Sequence, residues 1–162
     1  MKVIKRLSVM IISFVLLVGC SSGPDLSLSH LKELYPEAFA TPIEALPQEK
    51  QQKLGLPQEL PFELQSLEAV VEGDEVEVIY QSETTNKALV RTIFNPGNDL
   101  EESELQIPLD SGILAGVQER EDHVFVEWYN GDKDVIYQLE YSSEAKKEER
   151  LKQTMEITNS IE

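Results

Sequence analysis

From residue 62 onward the apolar side chains fall two apart, and that alternation constrains the fold more than any other feature of the chain. Val76, Val78 and Tyr80 alternate with Glu75 and Glu77, with Ile79 the apolar exception. Residues 89–94 (LVRTIF), 113–117 (ILAGV), 123–129 (HVFVEWY) and 134–141 (DVIYQLEY) are rich in β-branched and aromatic residues. Period two places alternate side chains on opposite faces of a strand, and antiparallel sheets tolerate one wet face. Asn130-Gly131-Asp132-Lys133 lies between the last two runs and is a strong hairpin signal. Asn95-Pro96-Gly97-Asn98 offers Pro and Gly at the central positions of a type II turn. The spacing predicts five or six antiparallel strands joined by short turns, with a looser acidic connection over residues 99–110.

A helix is expected after the last strand. Leu151, Met155, Thr158 and Ile161 fall on one stripe among lysines and glutamates, and Ser142 or Ser143 is placed to cap its start. One such stripe covers one face of a sheet. The fold class expected is therefore α+β: an antiparallel β-meander packed on one face by a C-terminal helix.

Residues 30–61 read as a proline-rich helical lead-in to a main domain at 62–161. A helix over 29–39 would group Leu31, Leu34, Tyr35 and Ala38, with Pro36 ending or kinking it. Residues 47–55 start on Pro47 and end on Gly55, the pattern of a short helix. Residues 20–29, rich in Ser, Gly, Pro and Asp, read as a tether of roughly 30 Å when extended.

The chain begins with Lys2, Lys5 and Arg6, and residues 9–18 are apolar except for Ser13. That run is shorter than the roughly 20 residues a permanent membrane helix needs, and it fits the apolar segment of a secretory signal peptide. Residues 1–19 are thus expected to be an address. Leu17-Val18-Gly19-Cys20 contains the chain's one cysteine and resembles the lipobox of bacterial lipoproteins. The resemblance implies a diacylglyceryl thioether on Cys20, cleavage before it, and a body held at the extracytoplasmic face of the cell membrane. Two or more acyl chains suffice for stable anchoring. The β-rich part is similar to small Gram-positive (Firmicute) lipoproteins with a meander domain of unknown function. That likeness implies topology and brings no active site.

The chain carries 14 basic and 30 acidic residues. Without residues 1–19, eleven basic face 30 acidic side chains, a balance of −19. Such a body repels nucleic-acid phosphates and anionic headgroups, so nucleic acid is excluded as a partner. The charge is read first as a source of solubility, and second as an attraction for cations or a basic partner. A single cysteine allows no internal disulfide, so the core alone must hold the domain.

Little in the sequence points to catalysis. His30 and His123 are the two histidines, and His123 has Glu121 and Asp122 beside it. Zinc asks for three or four ligands, and the only sulfur is assigned to lipid, so no metal site is assigned. No Gly-x-Ser-x-Gly elbow occurs, Ser111-Gly112 reads as a turn, and no phosphate-binding loop is present. Residues 130–134 and the Glu101-Glu102-Ser103-Glu104 cluster offer oxygen ligands without the twelve-residue calcium-loop pattern. Trp128, Tyr129, Tyr137 and Tyr141 crowd the last hairpin. If Trp128 faces inward with Val124 and Val126, then Phe125, Glu127 and Tyr129 form the other face.

The expectation is a non-enzymatic, membrane-anchored binding or accessory module of the cell envelope. It has no cofactor, an envelope protein as its partner, and Cys20 as its one functional residue. The alternatives are a carrier enclosing a hydrophobic ligand between sheet and helix, and an unrecognised envelope hydrolase.

Overall fold

The alternation resolves into one antiparallel sheet with helices on a single face. The computed structural model describes residues 24–97, 100, 101, 103 and 105–161. Among them the chain forms seven strands: β1 (Ser66–Glu72), β2 (Glu75–Gln81), β3 (Lys87–Phe94), β4 (Leu105–Pro108), β5 (Leu114–Glu119), β6 (His123–Asn130) and β7 (Val135–Ser142). Their spatial order is β1-β2-β3-β7-β6-β5-β4. Two meanders, β1–β3 and β4–β7, therefore meet where β3 pairs antiparallel with β7 from Lys87↔Ser142 to Phe94↔Val135.

Seven strands exceed the five or six expected, and β1 and β4 lie outside the apolar runs that marked the others. β1 joins β2 through the two-residue loop Gly73-Asp74, since Glu72 faces Glu75. Gly73 has φ 60, the left-handed geometry that this tight hairpin asks of its first loop residue. β4 lies inside the connection expected to be irregular. The last hairpin forms as expected but with a four-residue loop, because Asn130 faces Val135. Asn130 Oδ1 accepts from Lys133 N–H at 3.1 Å, and Asp134, not Gly131, takes the positive φ. The chain leaves β3 through Asn95 at φ 49, and Asn98 of the expected turn is outside the described residues.

Register fixes which side chains share a face. Val76, Val78 and Tyr80 lie with Ala88, Val90, Thr92 and Phe94, and with Val135, Tyr137, Leu139 and Tyr141. Val124, Val126 and Trp128 continue that face, and all of these residues are buried. Trp128 points inward with Val124 and Val126 and packs its ring 5.4 Å from that of Tyr137 across the strand pair.

The C-terminal helix α4 (Lys147–Asn159) covers this face over β6 and β7. It starts later than the serines suggested: Ser142 ends β7, and the N-cap is Lys146. Its inward face is also rotated from the predicted stripe. Arg150, Thr154, Ile157 and Thr158 are buried, while Leu151 and Met155 pack at the flank. Thr154 and Thr158 are accommodated because each hydroxyl donates to the carbonyl four residues back, at 2.7 and 2.8 Å.

The rest of that face is covered by the N-terminal segment. Helix α1 (Leu28–Leu34) stops before Pro36, which opens a π-helical turn, Pro36–Ala40, closed by Ala40 N–H to the Tyr35 carbonyl at 3.0 Å. The break shifts the phase of the pattern. Leu34 and Ala38, expected on the apolar face, are exposed, and Phe39, Ala40 and Ile43 are buried instead. Helices α2 (Thr41–Glu44) and α3 (Gln48–Gln51) follow, with Pro47 at the N-cap of α3. Leu26, Leu31, Phe39, Ile43, Leu46 and Leu54 belong to the same core cluster as the sheet residues and Ile157. Leu26 lies within the stretch read as tether, six positions after Cys20 along the chain. Gly55 N–H donates to Thr92 Oγ1 at 3.0 Å and Tyr137 O–H donates to the Lys53 carbonyl at 2.8 Å, fastening this segment to β3 and β7. Pro57 bridges Ile161, so the lead-in also meets the end of the chain.

Two buried tyrosines give contrasting expectations. Burial pushes both phenols well above the usual tyrosine range. The Tyr80 hydroxyl has no hydrogen-bond partner among the described residues, whereas that of Tyr137 is satisfied. An orphaned buried hydroxyl costs about 1–3 kcal/mol, and a satisfied one contributes about 1. Tyr80→Phe should raise the urea midpoint and Tyr137→Phe should lower it. A drop for Tyr80→Phe equal to that for Tyr137→Phe would contradict the assignment.

Candidate functional site

Cys20 lies outside the described residues, so the geometry bears on the body downstream of it. The histidines are not brought together: His30 sits in α1 and His123 opens β6. Asp122 Oδ1 and His123 Nδ1 are 2.7 Å apart, and this bond holds the Asp122 carboxyl below its ordinary range. His123 Nε2 lies 3.4 Å from Arg120 Nη1. Ser142 faces His123 across the strand pair, but its hydroxyl is oriented to the Lys87 carbonyl at 3.5 Å. With Nε2 directed at a guanidinium, the arrangement lacks the hydroxyl-to-imidazole contact that activates a serine. Asp122, His123 and Ser142 border a cleft of about 230 Å³ with Lys87, Leu89 and Glu140.

The acidic loops are engaged internally. Asp134 Oδ1 accepts from the Tyr129 hydroxyl at 2.9 Å, and Lys133 Nζ lies 5.9 Å from the Tyr137 ring centre. In the other cluster Glu102 and Glu104 are outside the described residues, and Glu101 Oε2 accepts from Gln118 Nε2 at 3.2 Å. Among the described residues no three His, Cys, Asp or Glu side chains group as metal ligands. The aromatic strip divides: Phe125 is buried under the Arg120 guanidinium, 5.5 Å from the ring centre, and Tyr129 is 41% exposed.

The most organised polar feature is on the sheet face away from the helices. Val78 faces Val90 and Val90 faces Leu139, so one residue along each strand Glu77, Arg91, Gln138, Glu127 and Gly116 form a row. The Arg91 guanidinium pairs with Glu77, and its Nη1 donates to Gln138 Oε1 at 2.7 Å. Gln138 Nε2 donates to Glu127 Oε2, and the backbone N–H of Glu101 donates to Glu127 Oε1, both at 2.6 Å. Glu127 is only 4% exposed. A buried carboxylate is costly without donors, and this one has one donor for each oxygen.

Two described residues of the connection from β3 to β4 lie over the far end of this row, Glu101 at Glu127 and Ser103 at Gly116, and that connection must span four strand spacings, roughly 19 Å. Gly116 makes the passage possible. A Cβ there would sit 2.6 Å from Ser103 Oγ and 2.9 Å from Ser103 Cβ. The pattern did not reveal this ladder, because Glu77, Arg91, Gln138 and Glu127 each read as an ordinary outward polar position. The register alone aligns them.

Space between α4 and the sheet is filled by Trp128, Tyr137, Leu139, Tyr141 and Ile157, all buried, which counts against an enclosed ligand there. Larger clefts occur at the surface: one of about 520 Å³ beside Leu26, Leu28, Leu54 and Leu56, and one of about 390 Å³ beside Leu100, Leu114 and Glu127. Comparison of the chain with family models, curated proteins and solved structures finds no match.

The ladder is open to a direct test. Glu127→Ala leaves the Gln138 amide and the Glu101 N–H without their acceptor and should cost about 2–3 kcal/mol in urea unfolding. Glu127→Leu combined with Gln138→Leu should cost less than the sum of the two single changes, because Glu127 and Gln138 are then removed together. Strict additivity would show that the two groups act independently.

Proposed function

We propose that this chain is a lipid-anchored protein of the extracytoplasmic membrane face whose body serves as a non-catalytic binding or accessory module of the cell envelope. The observation that carries the reading is a lone cysteine, Cys20, closing an apolar run six positions before the first buried residue of the body, Leu26. A cysteine spent on a thioether is consistent with a fold that uses none in its core. Six residues extend to roughly 20 Å at most, so the anchor would hold the body close to the headgroups.

The charge distribution supports the same orientation. Residues 24–60 contain three lysines against six acidic side chains, whereas residues 61–161 contain eight basic against 23 acidic. An anionic surface repels the second segment far more strongly, which favours the helical segment nearest the membrane. The absence of a triad geometry at His123 and the filled helix–sheet interior support a binding role over the hydrolase and carrier alternatives.

In the bacterial host, the processed protein should partition into detergent and carry the mass of residues 20–162 plus a diacylglyceryl group. Cys20→Ser should abolish the lipid mass and release the body or leave it uncleaved. Tight membrane association with an unmodified thiol would overturn the proposal.

A further inference from the structure

Resting on that reading for where its partner resides, we propose that the β4 edge of the sheet is a docking strip for an extended, basic segment of an envelope protein. Five large apolar side chains are exposed among the described residues, and three of them lie on or beside β4, Leu100, Leu105 and Leu114, with Tyr129 two strands in on β6. Leu105 faces Val117 and so lies on the helix-covered side of the sheet. Leu114 and Tyr129 lie two residues from the Gly116–Glu127 pair and so share the opposite side. Apolar contacts thus flank the edge strand above and below, where the alternating side chains of an added strand would fall.

The backbone offers the pairing. Leu109 N–H bonds the Ile113 carbonyl at 2.8 Å, and antiparallel pairs alternate between bonded and unbonded. Ile107 and Leu105 therefore turn their polar groups to β5, and Gln106 turns its N–H and carbonyl outward. Pro108 supplies only a carbonyl, which centres any added strand on Gln106.

Charge selects the occupant. Between Arg91 and Arg120 the chain carries six acidic residues and no basic one. A second copy of this acidic body would bring like charge to like, whereas lysine or arginine side chains on an incoming strand would be attracted. The position is also suitable. The π-helical turn Pro36–Ala40 and α2, which follow the anchored end, pack at β1, and β4 is six strand spacings away, roughly 29 Å.

The test uses the detergent-extracted full chain and an acetylated alternating lysine–valine heptapeptide. Saturable binding that weakens with salt and slows exchange of the Gln106 amide is expected. Gln106→Pro removes the outward N–H and should weaken binding at least tenfold. Leu105→Gln with Leu114→Gln should do likewise if the proline variant folds poorly, whereas Leu34→Gln, at an exposed leucine elsewhere, should change nothing. Equal binding of a glutamate–valine peptide, no saturable binding, indifference to both edge variants, or self-association through β4 would overturn the proposal. Failure of lipidation in the host would leave this binding intact and overturn only the anchor.

Discussion

The eight residue pairs between β3 and β7 join partners about 40 to 55 positions apart, and most of the architecture follows from that one non-local pairing. Each meander can form from local hairpins: β1 with β2 across Gly73-Asp74, and β6 with β7 across the loop that Asn130 closes. Neither half alone presents the full apolar face. Val90 beside Leu139 and Thr92 beside Tyr137 create the centre of the core, onto which Gly55 and Lys53 are then hydrogen-bonded. Such pairing carries a loop-closure cost before it is rewarded.

The same pairing explains the other face. Placing β7 beside β3 sends the chain from Phe94 across to the far edge, and that crossing buries Glu127. A buried carboxylate needs donors, and the Gln138 amide relays the positive charge of Arg91 toward it. Gly116 leaves room for Ser103. The polar ladder is thus a consequence of topology, and it holds the crossover against the sheet.

The strands with strong period-two patterns and the α+β class were legible before the fold was known. β6 and β7 form where the runs 123–129 and 134–141 place them, and Trp128 shares the inward face with Val124 and Val126, although five consecutive residues of each strand are buried. β1 escaped notice although Gly73-Asp74 carries a hairpin signature, because Ala69, Val70 and Val71 form a run without alternation. β4 has four residues, one of them proline, inside an acidic stretch. The phase of α4 was misjudged because Arg150 and Thr154 are buried polar residues that a hydrophobic stripe does not include. The N-terminal segment reads as a lead-in because its prolines mask a pattern interrupted by the π-helical turn at Pro36, and its buried residues join the core of the sheet. The ladder was beyond reach, since four unremarkable polar positions become a row only when the register is known.

The account stands on β3 and β7 forming the axis of a single cooperative body. Native-state hydrogen exchange on the folded chain tests this most directly. The amides of Val90 and Leu139 should exchange only through global unfolding, with the same free energy and denaturant dependence as each other, and the edges β1 and β4 should open at lower cost. If the β1–β3 amides exchanged as one unit and the β5–β7 amides as another, with different free energies, the two meanders would be independent, and the account would be contradicted.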